Sequence, residues 1–107
     1  MASYLFIESR NPWESNAVRA SYDLARELAG AGHEVTVFLV QNGVMPARRG
    51  AEDVGLQTVV GSVKVLADDF SLRERAIQPD GLIAGVAAAP IEIVVDALAK
   101  GVRTLWH

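Results

Sequence analysis

Ala25–Gly43 (ARELAGAGHEVTVFLVQNG) decides the fold. Its first part closes a helix-period stretch, and Gly30 and Gly32 end it, one of them supplying the left-handed residue after the last turn. A two-residue turn, His33-Glu34, leads into Val35–Val40, a run of apolar residues in place of a polar/apolar alternation. Such a run predicts a strand covered on both faces, the condition met in parallel sheets with helices above and below. Gln41-Asn42-Gly43 then forms a polar loop at the carboxyl end of that strand, where open α/β sheets hold ligands.

The same unit recurs in both directions. Apolar runs at Tyr4–Ile7, Val63–Ala67, Leu82–Val86 and Val102–Trp106 predict four further strands. Before the deciding stretch, Ala17, Ser21, Leu24, Leu28 and Ala31 fall on one helical face, with Arg19, Asp23, Arg26 and Glu27 on the other. After strand three, Asp68 or Asp69 can cap a helix of about two turns, and Ser71 and Glu74 have capping-box spacing. Between the last two strands, Pro90-Ile91-Glu92 opens a helix with Val94, Val95 and Leu98 on one stripe, and Gly101 stops it. Gly43–Gly61 reads least clearly: Val54, Leu56, Val59 and Val60 suggest a short buried helix that Gly50 and Gly55 weaken. Strand and helix alternate throughout, predicting one domain over residues 1–107: a five-stranded, doubly wound parallel sheet of flavodoxin-like topology, flanked by helices.

The chain's 107 residues fit one core. Half of them are apolar, which excludes intrinsic disorder. Ten Lys+Arg against thirteen Asp+Glu give a net charge of −3, which argues against a nucleic-acid partner. No run approaches the ~20 apolar residues of a membrane span, and the opening residues lack the basic segment of a signal peptide. A cytoplasmic protein is expected. The sequence has no cysteine, which removes disulfides, thiolate metal sites and every sulfur nucleophile.

The predicted strand ends gather the polar candidates. Ser9, Arg10 and Asn11 follow strand one and could present amides to an anion, although the loop has neither a Gly-rich nor a Walker pattern. Asp68 and Asp69 are adjacent carboxylates that could act as an acid/base pair, or could simply cap a helix. His107 belongs at the mouth of the same edge, either as a frayed end or as a proton-transfer residue. His33 lies at the opposite end of the strands. No spacing resembles a zinc site, no Ser sits in a nucleophile elbow, and the first loop lacks the Ser/Thr/Gly cluster that wraps a flavin phosphate. No metal or cofactor is expected.

The order of several segments resembles the DsrE/DsrF/DsrH family of small sulfur-relay proteins, which includes the Tus proteins of tRNA thiolation. The segments are Leu5-Phe6-Ile7 running to Pro12-Trp13-Glu14, Ala25–Val37 running into Gln41-Asn42-Gly43-Val44, Ser71–Ala76 (SLRERA), and the closing Val102–Trp106. The resemblance covers essentially the whole chain and implies a DsrE-like fold. It also implies assembly as a trimer or hexamer, homomeric or with DsrE-like paralogues. Catalytic members carry the relayed sulfur on a cysteine just after strand three, which corresponds to Ala67 or Asp68 here. Neither side chain can form a persulfide.

The resemblance therefore implies a subunit without the sulfur-carrying cysteine, a non-catalytic assembly or ligand-binding module, with an accessory part in sulfur transfer among the roles it implies. Ser9, Arg10, Asn11, Trp13, Asn42, Gly43, Val44 and Met45 are its ligand or interface candidates, with Trp13, Val44 and Met45 expected to be exposed. The alternative is a small-molecule enzyme using Asp68, Asp69 and His107 at the sheet's carboxyl edge.

Overall fold

The computed structural model describes residues 1–107. Strands β1 (Ser3–Glu8), β2 (Glu34–Leu39), β3 (Lys64–Asp68), β4 (Val86–Ala89) and β5 (Arg103–Trp106) form one sheet, in the order β4-β3-β2-β1-β5. Every pair is parallel. Helices α1 (Ala17–Gly30), α2 (Leu56–Val60), α3 (Asp69–Glu74) and α4 (Glu92–Ala99) make the connections, with 3-10 turns at Gln41–Ala47 and Pro79–Gly81.

The strand order fixes the layers. Steps from β1 to β4 all run in one direction, so right-handed crossovers place α1, α2 and α3 on one face. The step from β4 to β5 returns past β1, which puts α4 on the other. Side chains agree: Val18, Tyr22, Ala25, Leu56, Val59 and Leu72 pack on Phe6, Val37, Leu39 and Val65, while Ile93, Val94 and Ala97 lie on Leu5, Ile7, Phe38 and Leu66. The direction of winding reverses between β1 and β5, whereas the flavodoxin order 2-1-3-4-5 reverses between its first and third strands.

Three local expectations are corrected. The fourth strand is Val86–Ala89 and not Leu82–Val86. Leu82 instead bridges Arg48 in antiparallel fashion, and Gly85 at φ +90° turns the chain into the strand. The strand itself is mostly alanine, which is depleted in strands and carries little local signal. The buried stripe of α1 is Val18, Tyr22 and Ala25, one residue around from the predicted face, and Leu24 is 41 % exposed. Both stripes are apolar enough that periodicity alone does not separate them. The Ser71–Glu74 capping box does not form, because Ser71 lies inside α3 and Asp68 is its N-cap.

Candidate functional site

β1 ends on Glu8, a carboxylate buried to 1 % exposure. Parallel alternation turns it to the α1 side of the sheet, after Phe6 on that side and Ile7 on the other. His107 lies beside it because the β5–β1 ladder runs on past Trp106. The His107 N–H donates to the Ile7 carbonyl at 2.8 Å, and its carbonyl accepts from the Ser9 N–H and from Ser9 Oγ, both at 2.8 Å. Three bonds hold the residue that could have been a frayed end.

The imidazole Nδ1 stands 2.8 Å from Glu8 Oε1 and 2.9 Å from Oε2, and the Arg10 N–H donates to Oε2 at 3.1 Å. Where the carboxylate is ionised it only accepts, and Nδ1 is then the donor. The pair occupies the crevice where the winding reverses, the place at which open α/β sheets bind ligands. Arg10 contributes to it through its backbone, and Ser9 by fixing His107.

A belt of polar contacts runs along the rest of this edge. Asn11 Oδ1 accepts from the Trp13 and Glu14 N–H groups, both at 3.0 Å, which closes the loop after β1. Asn42 Nδ2 donates to Glu14 Oε1 at 3.4 Å, and Asn42 Oδ1 accepts from Arg75 Nη2 at 3.1 Å. Gly43 passes so close to β1 that a Cβ there would lie 2.1 Å from the Glu8 carbonyl oxygen. Trp13 is exposed as expected. Val44 is not: it sits fully in the core beneath the 3-10 turn, and Met45 is half-buried. A 3-10 turn points successive residues to different sides, so a loop reading of Asn42–Met45 misses the inward one.

Ala67 is absorbed by the fold, while Asp68 is paired through Oδ2 and has its Oδ1 buried without a partner. Ala67 is fully buried between Leu39 and Ala88 of the flanking strands. Asp68 Oδ2 accepts from the Ser71 N–H at 3.0 Å and from Ser71 Oγ at 2.6 Å, which caps α3. Ser71 Oγ in turn accepts from the Gln41 N–H at 2.8 Å and holds Gln41 at φ +51°. Asp69, half-exposed, pairs with Arg73 one turn along α3 at 3.8 Å, and both, with Asp68, border a cleft of about 470 Å³ that α3 shares with Pro90, Ile91 and Glu92. His107 instead borders a separate groove of about 280 Å³ against α1. β2 and β1 separate the ends of β3 and β5, so at about 4.8 Å per strand Asp68 and His107 stand about 14 Å apart. The two aspartates and the histidine do not make one site.

Two groups have a burial that the sequence does not announce. Glu8 reads as the charge that ends an apolar run, yet a charged last residue on a strand covered on both faces is the available signal for a buried carboxylate. Tyr22 Oη is buried with no hydrogen-bond partner. Burial pushes its ionisation well above the usual phenol range, Glu8's negative charge adds to this, and Arg19 opposes it.

The architecture defines a doubly wound α/β domain with a carboxylate–imidazole pair in its switch-point crevice. No protein-family model and no curated protein matches the chain. Among solved structures it is similar to MTH1491, a protein of unknown function from Methanobacterium thermoautotrophicum, with a TM-score of 0.86, 19% identity and full coverage of both chains. The ychN protein of E. coli superposes equally well, with a TM-score of 0.86 at 20% identity over the whole of both chains. BT1422 of Bacteroides thetaiotaomicron, a conserved protein of unknown function, reaches 0.71 at 15% identity over 98% of this chain and 95% of its own. At these identities the likeness defines the fold alone.

Proposed function

We infer that the chain is a DsrE-like subunit that assembles with further copies of itself or of DsrE-like chains, transfers no sulfur, and offers a ligand site at its carboxyl edge. The observation that carries this reading is the outer face of α4. None of that helix's residues is fully buried, and Ile91, Val95 and Leu98 are 48 %, 60 % and 58 % exposed. Phe70 is also exposed on the molecule, which adds to a load of large apolar side chains that a lone domain of this size leaves in water only at a cost in solubility. A second copy covers such a face with matching apolar area. The absence of any cysteine supports the non-catalytic half. A cytoplasmic location belongs to the same reading; no helix is long and apolar enough to cross a membrane.

Size-exclusion chromatography with light scattering tests it. A trimeric or hexameric mass at micromolar concentration is expected, falling towards one chain in Val95→Glu and Leu98→Glu. A monomeric wild type would overturn the assembly reading. The enzyme alternative has less support as a single site, because Asp68 and His107 stand about 14 Å apart along the sheet edge.

A further inference from the structure

Glu8 is the most deeply buried charged side chain, and His107 is its only side-chain partner. Taking that carboxylate out of water is costly, and packing does not require it, since an apolar residue of similar volume fills such a position at least as well. What the pair accomplishes is to fix an imidazole. With Nδ1 on the carboxylate, Nε2 lies on the far side of the ring and makes no hydrogen bond within the protein, and the ring is 29 % exposed. His107 closes one end of the groove between β5 and α1, whose walls are chiefly Phe6, Ala20, Leu24 and Leu105. Ser21 supplies the other polar side chain of the lining, and no charged side chain contributes to it.

We propose that this groove binds a small monocyclic weak acid of the phenol type, with its ring on the apolar walls and its acidic X–H on His107 Nε2. The inference deepens the ligand-binding half of the reading above and does not depend on assembly, since α4 lies on the opposite layer. The lining selects the class. A permanent anion would meet apolar walls without a Lys or Arg, and an ammonium would leave N–H groups unpaired with only Nε2 and Ser21 to receive them. A weak acid is served in both of its forms. As X–H it donates to Nε2; when the X–H bond breaks, the proton forms the second N–H of an imidazolium, which Glu8 neutralises and which donates back to X⁻. No other reactant takes part.

The probe is 4-nitrophenol, whose phenolate absorbs at longer wavelength than the phenol, titrated into the full-length chain. Saturable binding with growth of the phenolate band is expected. His107→Gln should weaken binding by about tenfold or more and abolish the band growth. Leu24→Arg, at an already exposed position, should block the groove while leaving the Glu8–His107 pair and the oligomeric mass unchanged. 4-Nitroanisole, which lacks the acidic proton, should bind about tenfold more weakly than the phenol. The proposal is overturned by absence of saturable binding to the wild type, by binding that survives Leu24→Arg, or by equal affinity for the anisole. None of these results alters the mass measurement, so assembly and ligand class stand or fall separately.

Discussion

Gly43→Ala tests the close approach on which the switch-point crevice depends. The added Cβ would lie 2.1 Å from the Glu8 carbonyl oxygen and 3.0 Å from its carbonyl carbon. Both atoms belong to the backbone of a strand paired on each side, so no flexible side chain can give way. Relief requires a displacement of about 1 Å in a close-packed interior, and overpacking of that kind costs about 1–3 kcal/mol. The same carbonyl accepts the Val40 N–H at 2.9 Å, and pushing the turn away breaks that bond for about 1 kcal/mol more. Restricting the unfolded chain returns about 0.5–1 kcal/mol, which leaves a net loss of about 1–3.5 kcal/mol.

Urea unfolding reads this out. With a slope near the low end of the usual range of ~1–3 kcal/mol per molar, the midpoint should fall by about 1–3 M. Gly30→Ala is the matched control, because a Cβ there meets nothing within 4 Å and the residue lies in α1; it should be neutral or stabilise by up to about 1 kcal/mol. The His107 imidazole resonances should move in Gly43→Ala and not in Gly30→Ala. A loss below about 0.5 kcal/mol, with those resonances unmoved, would refute the reasoning: β1 and the turn would then not meet as described.

His107→Ala should cost about 2 kcal/mol in the same assay, because Glu8 retains only the Arg10 N–H, and Glu8→Gln in that background should recover part of the loss. Asp68→Ala should cost about 1–2 kcal/mol through the lost α3 cap, and Asp68→Asn less; equal effects would mean that the cap contributes nothing. The wild type should gain no mass from a persulfide donor, and Ala67→Cys should resist iodoacetamide until urea unfolds it, so alkylation at a free-thiol rate would place position 67 at an open pocket. Tyr22→Phe should match or exceed wild-type stability at neutral pH, because it removes a buried hydroxyl that has no partner. Tyr22 ionises more readily unfolded than folded, so its stabilising contribution is complete below about pH 10, the unfolded value, and declines above it at up to about 1.4 kcal/mol per pH unit. Tyr22→Phe should flatten that alkaline decline, and an unchanged slope would place its hydroxyl in water.

The strands legible in the sequence are those whose apolar runs are strong and bounded by turns. Val35–Val40 between Glu34 and Gln41 is the clearest, and β2 follows it closely. β4 was obscured because the energetically conspicuous Leu82 and Ile83 pack in a connection, while the paired residues are small. The α1 face was displaced by one position because Tyr22, apolar over most of its surface, competes with Leu24 for the inward side. Among site residues, His107 and the Ser9–Asn11 loop were reached through the general rule that strand ends carry ligands. The same rule takes in Glu8 at the end of the first strand, but not its pairing with His107, since the two lie 99 residues apart and only the β1–β5 pairing brings them together. Asp68's capping role was legible, because an acidic residue before a helical stretch has a local meaning.

The two ends of the sheet therefore differ in what their polar residues do. At β3, where the resemblance to sulfur-relay proteins places the reactive cysteine, Ala67 fills the core and Asp68 satisfies a helix terminus. Ala67 is a solution to packing alone, whereas Asp68 caps the helix with Oδ2 and keeps Oδ1 buried without a hydrogen-bond partner. At β1 and β5 the balance is reversed, for a buried carboxylate on an imidazole gives the fold little that an apolar pair would not, yet it orients one free nitrogen beside an apolar groove. Local choices that cost stability without serving the fold mark the places where a chain does something else. α4 and its exposed residues lie across the sheet from that groove, so covering them with a second copy leaves the crevice accessible. Assembly on one layer and ligand binding on the other are compatible in a single chain, and variants of Leu98 and Leu24 address them one at a time.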